Sequence, residues 1–386
     1  MEAIDALLDL DAVLSERERS IRDRARALVD AEVRPRIADW WERGHVPAEL
    51  LPALGEAGLL GLGIEGHGCP GGTAVEAGLV MQELEAGDSG VRTIVSVQGS
   101  LAMTAIARFG DDAQREAWLP RMARGEAIGA FALTEPHSGS DPGSMRTTAR
   151  RDGDDWVLDG AKRWIGLATV ADVLVVWART DEGVQGFLVP ADAPGVVATP
   201  IEPKLSMRAS VQCDVRLEGV RLPREAALPD ARGLRAAFTC LDQARYGIAW
   251  GAMGAARDAL EAVLALVAER EAFGRPLAGF QLTQARLADM AVSLSQGQLL
   301  ALHLGRTKDA RGLRPEQVSL GKLANVRAAL AICREARALA GGDGITHAQP
   351  AMRHAANLES VRTYEGTDEV HQLVLGHALT GIAAFR

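Results

Sequence analysis

Apolar positions recur at helical spacing across residues 12–60, as at Ile21, Ala25, Leu28 and Val29, with interruptions near Pro35 and Pro47. The periodicity returns from 74 to about 125, broken at Gly87-Asp88-Ser89-Gly90, where Ser89 is placed to cap the next helix. The middle of the chain has a different period. Trp156-Val-Leu, Asp159-Gly160 and Ala-Lys-Arg-Trp164 read as strand, tight turn and strand, since Asp-Gly tolerates the positive φ of a two-residue hairpin. Short runs at 173–177, 186–189, 196–201 and 213–222 follow, each bounded by Gly, Pro or Asp. Long amphipathic runs at 236–269, 281–310 and 315–340 then predict a helix bundle. The expected fold is α+β and multidomain: helical over 1–127, strands over 128–228, helical over 229–386.

Composition narrows the function classes. With 386 residues, 47% hydrophobic and 24% charged, the chain is long enough to build more than one core. Carboxylates outnumber cations 51 to 42, which argues against a nucleic-acid surface. Cys69, Cys213, Cys240 and Cys333 are far apart with no C-x-x-C pair, so neither a metal site nor a disulfide framework is expected. The acidic N-terminus and the charged run 15–26 lack the features of a signal peptide, and no window approaches ~18 apolar residues. A soluble cytoplasmic protein is the expectation. Arginine is used almost to the exclusion of lysine, and tyrosine occurs only twice, at Tyr246 and Tyr364.

Three segments carry candidate chemistry. Gly61-Leu-Gly-Ile-Glu-Gly66 matches a dinucleotide fingerprint but lacks the strand before and the helix after it, so it reads as a loop. The polar stretch Ala132-Leu-Thr-Glu-Pro-His-Ser-Gly-Ser-Asp141 reads either as an ordinary turn or as a cradle for a phosphate or heterocycle. Thr363-Tyr-Glu-Gly-Thr367 breaks a helical pattern and exposes Glu365, either a solvated acid or a general base.

Taken together, several motifs resemble the acyl-CoA dehydrogenase family over nearly the whole chain: Leu133-Thr-Glu-Pro with Gly-Ser-Asp141, Lys162-Arg-Trp-Ile165, Arg270-Glu-Ala-Phe-Gly274 with Gln281, Gly341-Gly-Asp-Gly344 and Tyr364-Glu-Gly-Thr367. Asp88 to Gln98, Ala244-Arg-Tyr-Gly-Ile-Ala-Trp250, Arg353-His, Asn357-Leu-Glu and Thr380-Gly-Ile are similar to the glutaryl-CoA branch. The resemblance implies the acyl-CoA dehydrogenase fold, with an N-terminal helical domain, a middle β domain and a C-terminal four-helix bundle. It further implies FAD-dependent α,β-dehydrogenation of a short acyl-CoA, glutaryl-CoA with decarboxylation to crotonyl-CoA, in fatty acid and amino acid catabolism. Glu365 is the implied base, because Ala244 stands where some relatives carry theirs. Leu133, Thr134, Ser140, Trp164, Ile165 and Gly166 are the implied flavin contacts, with Thr367 and Glu369 nearby. Arg270, Phe273, Gln281, Gly341 and Gly342 would come from a neighbouring subunit of a homotetramer. Electrons would leave through an electron-transferring flavoprotein.

The resemblance also implies a substrate pocket of Arg92, Ser96, Glu85, Arg245, Tyr246, Tyr364 and Gly366, in which Arg92 and Ser96, one helical turn apart, hold a distal carboxylate and Glu85 orients the arginine. Both tyrosines are expected in that pocket. Two departures from the family stand out. Gly166 replaces the hydroxyl residue expected near the flavin, and Ala338-Leu-Ala340 lacks an aromatic. The alternatives are a short-chain dehydrogenase or oxidase for another acyl-CoA, and a non-catalytic flavin-bound scaffold.

Overall fold

The computed structural model describes residues 7–45 and 47–384. Ser15 and Glu18 exchange bonds at the start of α1 (Glu16–Leu28), and Thr73 and Glu76 do the same for α4 (Ala74–Gly87), so two helix starts satisfy their own backbone donors. Between them lie α2 (Ile37–Arg43) and α3 (Leu50–Glu56); α5 (Ser89–Val95), a π-helical stretch (Ser96–Met103), α6 (Thr104–Phe109) and α7 (Asp112–Ala123) complete the first helical part. The helix expected to be capped by Ser89 is capped by Asp88 instead, whose carboxylate accepts from the Gly90 N–H at 2.7 Å. Ser89 turns back to Glu85.

Eight strands follow: β1 (Gly129–Ala132), β2 (Thr148–Asp152), β3 (Asp155–Gly166), β4 (Val173–Thr180), β5 (Gly183–Pro190), β6 (Val196–Pro200), β7 (Gln212–Leu222) and β8 (Ala227–Arg232). They form one sheet in the order β6-β7-β3-β2-β4-β5-β8, with β1 parallel to β4. The first six residues of β4 are all buried, as a central strand covered on both faces requires, whereas β7 largely alternates buried with more exposed positions. The hairpin expected at Asp159-Gly160 is not there. β3 runs straight through those residues, with a register shift against β7 between Leu158 and Gly160. Glycine is needed because Thr147 crosses so closely that a Cβ at 160 would stand 2.4 Å from its Oγ1. The Gly61–Gly66 segment is a loop, as expected from the missing strand, and all three fingerprint glycines have positive φ.

The second helical part comprises α8 (Gly233–Glu269), α9 (Gln281–Arg311), α10 (Pro315–Leu339), α11 (Ala351–Val361) and α12 (Asp368–Thr380). α8 packs against α4 on one side and α10 on the other, which joins the two helical parts. All four cysteines are free, and the described residues contain no cluster able to hold a metal ion and no helix long and apolar enough to cross a membrane.

The polar loop between β1 and β2 is fixed from inside. Glu135 is 2% exposed and accepts from the N–H groups of Arg146 and Thr147 at 2.6 and 2.9 Å, and from Lys162 Nζ at 2.9 Å. Burial works to raise its pKa, but those amides and the ammonium outweigh it and hold the carboxyl down at about 2. The cost of burial falls instead on Lys162, pushed down to about 8. Glu135→Gln is expected to cost about 3–5 kcal/mol at pH 7, since it breaks a buried pair. The lowered carboxyl stabilises the folded state above the usual carboxylate range and loses that contribution as pH falls toward about 2. Denaturant unfolding of both proteins across that range should show the gap closing; a gap independent of pH would contradict the account.

Candidate active site

The site is built at a kink. α4 ends at Gly87, Asp88 adopts an extended conformation, and α5 begins at once, so Glu85 and Arg92 meet across the break. Arg92 Nε donates to Glu85 Oε2 at 2.7 Å, Ser89 Oγ donates to Oε1 at 2.8 Å, and all three residues are buried. α8 admits this pair only because residue 251 is glycine: a Cβ there would lie 2.1 Å from Glu85 Oε2. The kink is tied to α11, where Arg353 Nε and Asn357 Nδ2 donate to Asp88 Oδ2 at 3.0 and 2.9 Å.

Between α11 and α12 the backbone crosses over this pair. The Tyr364 hydroxyl bonds Arg92 Nη2 and lies 3.4 Å from Thr93 Oγ1. Glu365 has φ +55° and Gly366 φ +99°, both in the left-handed region. Gly366 is required there, since a Cβ would come 2.8 Å from His371 Nε2. Arg245 Nε donates to the Glu365 carbonyl at 2.7 Å, and its Nη1 pairs with Asp242 at 2.9 Å. Lys322 Nζ donates to the carbonyls of Tyr364 and Gly366 at 2.6 and 2.5 Å.

Electrostatics follow from this enclosure. Burial pushes the Glu365 carboxyl up from its ordinary value, while Arg92, Lys322 and Arg245 pull it back and Glu85 adds to the rise. Burial opposes the charge on Arg92, but Glu85, Tyr364 and Glu365 more than offset it, so the guanidinium stays protonated. Burial, Lys322 and Arg245 push His371 down to about 3, which leaves it neutral. Arg92 Nη1, Ser96 Oγ, Glu365 Oε2 and His371 Nε2 are enclosed without a hydrogen-bond partner in the protein. Two of those atoms belong to residues expected in the substrate pocket and a third to the expected base. Orphaned donors and acceptors of this kind are costly unless a ligand meets them.

The expected pocket residues are thus only partly gathered. Arg92, Glu85 and Tyr364 form one bonded set, to which Arg245 connects through the backbone of Glu365. The two tyrosine hydroxyls have different partners. Tyr246 donates to the Ala74 carbonyl at 2.7 Å and lines a cavity of about 740 Å³ beside Asp242, with Arg108, Arg235 and Lys308 on its walls.

The expected cofactor residues fall into two groups. On the sheet side, Leu133 and Ile165 are buried, Thr134 is partly open and Ser140 exposed. Trp164 is 52% exposed with φ +63°, and Arg163 sits 5.1 Å over its ring. A Cβ at Gly166 would stand 3.0 Å from Val97 Cγ2, so Val97 takes the space a side chain would use. Thr367 caps α12 through Val370, and Glu369 is exposed on its first turn. The second group surrounds the far end of α8. Arg270 reaches the Ala340 carbonyl and Asp343, Phe273 is 98% exposed at φ +54°, and Gln281, Gly341 and Gly342 are exposed. Arg270, the residue that ends α8, follows Arg245 by 25 positions, about 38 Å along the helix axis. Lys322, His371 and Asp242 were missed from the sequence; the scarcity of lysine was the one signal pointing to the first.

Comparison with known proteins bears on this geometry. The family model described as acyl-CoA dehydrogenase, N-terminal domain, matches residues 15–126; those for the middle and C-terminal domains match 130–220 and 231–380. The mitochondrial short-chain specific acyl-CoA dehydrogenase of Bos taurus is 36% identical over 374 residues, 95% of this chain and 91% of that protein. A crystal structure of glutaryl-CoA dehydrogenase from Mycobacterium smegmatis is 58% identical with a TM-score of 0.98, covering 99% of each chain. A glutaryl-CoA dehydrogenase of the same organism in complex with FADH2 is 55% identical, with a TM-score of 0.97 over 98% of each. With three domain matches in chain order and such similarity over nearly the full length, the protein belongs to the acyl-CoA dehydrogenase family.

Proposed function

We propose that the enzyme dehydrogenates a short dicarboxylic acyl-CoA, glutaryl-CoA, at Cα and Cβ, with loss of the distal carboxylate as CO₂ to give crotonyl-CoA. The observation that carries this reading is the fully buried Arg92, whose Nη1 has no partner although Nε and Nη2 are committed to Glu85 and Tyr364. A carboxylate is the group that a guanidinium edge and the nearby Ser96 hydroxyl, also unpartnered, are suited to hold. The high likeness to glutaryl-CoA dehydrogenase supports it.

The residues present fit FAD: Trp164 offers an exposed aromatic face, Thr134 and Ser140 offer hydroxyls that are not buried, and Glu365 keeps one carboxylate oxygen unpartnered. When bound, FAD supplies the acceptor for the hydride that leaves Cβ. Glu365 takes the Cα proton, and burial makes it a stronger base than a free carboxylate. Its main-chain N–H holds the thioester oxygen as charge develops there. The cavity beside Asp242, walled by Arg108, Arg235 and Lys308, accommodates the anionic CoA moiety. Arg270, Phe273, Gln281 and the Gly341-Gly342 turn serve the cofactor of a second copy, which makes the active enzyme a homo-oligomer, a tetramer on the family pattern. An electron-transferring flavoprotein takes the electrons onward. Gly166 favours a second reading of that last step, an oxidase, because Val97 and not a hydroxyl fills its surroundings; peroxide formed in step with aerobic turnover would establish it.

Glu365→Gln should keep its FAD yet reduce the flavin with glutaryl-CoA about 10³-fold more slowly, the span of a positioned base. Anaerobic bleaching at 450 nm measures this, and an undiminished rate would remove the base assignment. Arg92→Gln combined with Glu85→Gln removes both buried charges together, so neither is stranded. The double variant should lose about 10²–10³-fold in kcat/KM for glutaryl-CoA relative to butyryl-CoA, as a lost buried charge contact does. Equal losses on the two substrates would leave a short-chain enzyme as the better reading.

A further inference from the structure

The chain has four lysines, Lys162, Lys204, Lys308 and Lys322. Lys322 is 1% exposed, and neither of its two hydrogen-bond acceptors is a carboxylate. It lies on a buried polar row of α10: Ser319, one turn before it, meets His371 Nδ1 at 3.0 Å, and Asn325, one turn after it, donates to the carbonyls of Ala249 and Gly297 at 2.7 and 2.9 Å. Its ammonium binds the carbonyls on either side of Glu365, while Arg245 binds the carbonyl of Glu365 itself. Three successive carbonyls therefore point at two cations. That arrangement holds a non-glycine residue at φ +55°, a backbone state costing of order 1–3 kcal/mol that persists only where surroundings over-determine it.

We propose that Lys322 is the positioning residue of the base: it locks the left-handed turn that presents Glu365 and sets an ammonium group beside that turn. The inference rests on Glu365 being the base. A lysine suits the task because a compact ammonium can serve two carbonyls that do not share a plane, which the planar fork of arginine matches poorly. The charged and titratable groups around it come from every packed element: Glu365 from its own loop, Arg245 from α8, Arg92 from α5, and Asp368 and His371 from α12. His371 is neutral, so Lys322 is the cation on the α10 side of the turn. Burial, with Arg245 and Arg92, pulls its pKa down to about 7, while Glu365 and Asp368 oppose that.

The test uses FAD-loaded full-length protein and single-turnover flavin reduction by glutaryl-CoA across pH 5–9, alongside FAD content and melting temperature. Lys322→Met should reduce the flavin about 10²-fold more slowly with acyl-CoA affinity little changed, the signature of a misplaced group and not of lost binding. Its acidic limb should move upward by about one unit or more, because removing a cation close to a carboxylate raises that carboxylate's pKa. Lys322→Arg restores the charge and should bring the limb back toward wild type, whereas Lys322→Gln restores a donor without the charge and should not. Wild-type rates and limbs in the variants that fold, with only the melting temperature lowered, would overturn the proposal. Should the methionine variant fail to fold, identical limbs in the glutamine and arginine variants would overturn it equally. Loss of the Glu365 assignment shows separately, as unimpaired reduction in Glu365→Gln.

Discussion

Arg92, Arg245 and Lys322 converge on segment 364–366 from three different helices, and burying that much positive charge is unfavourable unless anions and carbonyl dipoles meet it. Each cation has its own answer. Arg92 has Glu85, Arg245 has Asp242, and Lys322 has the peptide carbonyls of the turn. Satisfying those three needs dictates features well away from the chemistry. The break at Asp88 lets Glu85 and Arg92 meet although seven residues separate them, Gly251 lets the carboxylate lie against α8, and Arg353 and Asn357 hold the break in place. The local backbone of Glu365 is a consequence of the charge arrangement around it.

Much of the architecture was readable from period alone. The three long C-terminal helices end within three residues of where the amphipathic pattern ends, and the strands at 173, 186, 196 and 213 stand where short apolar runs promised them. Asp159-Gly160 misled because local turn chemistry was overridden by a tertiary contact, the passage of Thr147 across β3. β1, β2 and β8 escaped notice: the first is a four-residue run and the second is mostly exposed and charged, so neither shows alternation. The site was legible in a different way. Glu365 stood out as an acid at a helix break, yet the bond that ties its neighbour Tyr364 to Arg92 spans 272 positions, beyond any local window. Only resemblance to a family joined those residues beforehand. Resemblance in turn passed over Lys322, since a lysine on an amphipathic helix reads as a solvated face unless the rest of the chain is noticed to use arginine there.

The two groups of expected cofactor residues show how far one chain goes. Trp164 and Phe273 are large aromatics left in solvent with left-handed backbones, a state that neither packing nor local propensity favours. Both are accounted for if each is a surface waiting for the same elongated ligand from opposite ends, held by two copies. On the proposed assembly, a protomer without its neighbour would hold the flavin by one end only, which would link assembly and cofactor affinity thermodynamically.

The charge arrangement also bears on why a dicarboxylic substrate would be processed well and not merely bound. Arg92 is the cation that most strongly pulls the Glu365 pKa down against the effect of burial. On the proposed reading, a substrate carboxylate arriving on the unpartnered Arg92 edge takes up part of that positive charge. The pull on Glu365 weakens, its proton affinity rises, and the base strengthens at the moment a carbon acid is placed before it. A plain acyl chain brings no such anion and leaves the base weaker. Lys322 sets the limit of this effect, because its ammonium is held by peptide carbonyls and not by the Arg92 pair. Selectivity for a distal carboxylate and readiness of the base are, on the proposed reading, two results of a single buried guanidinium.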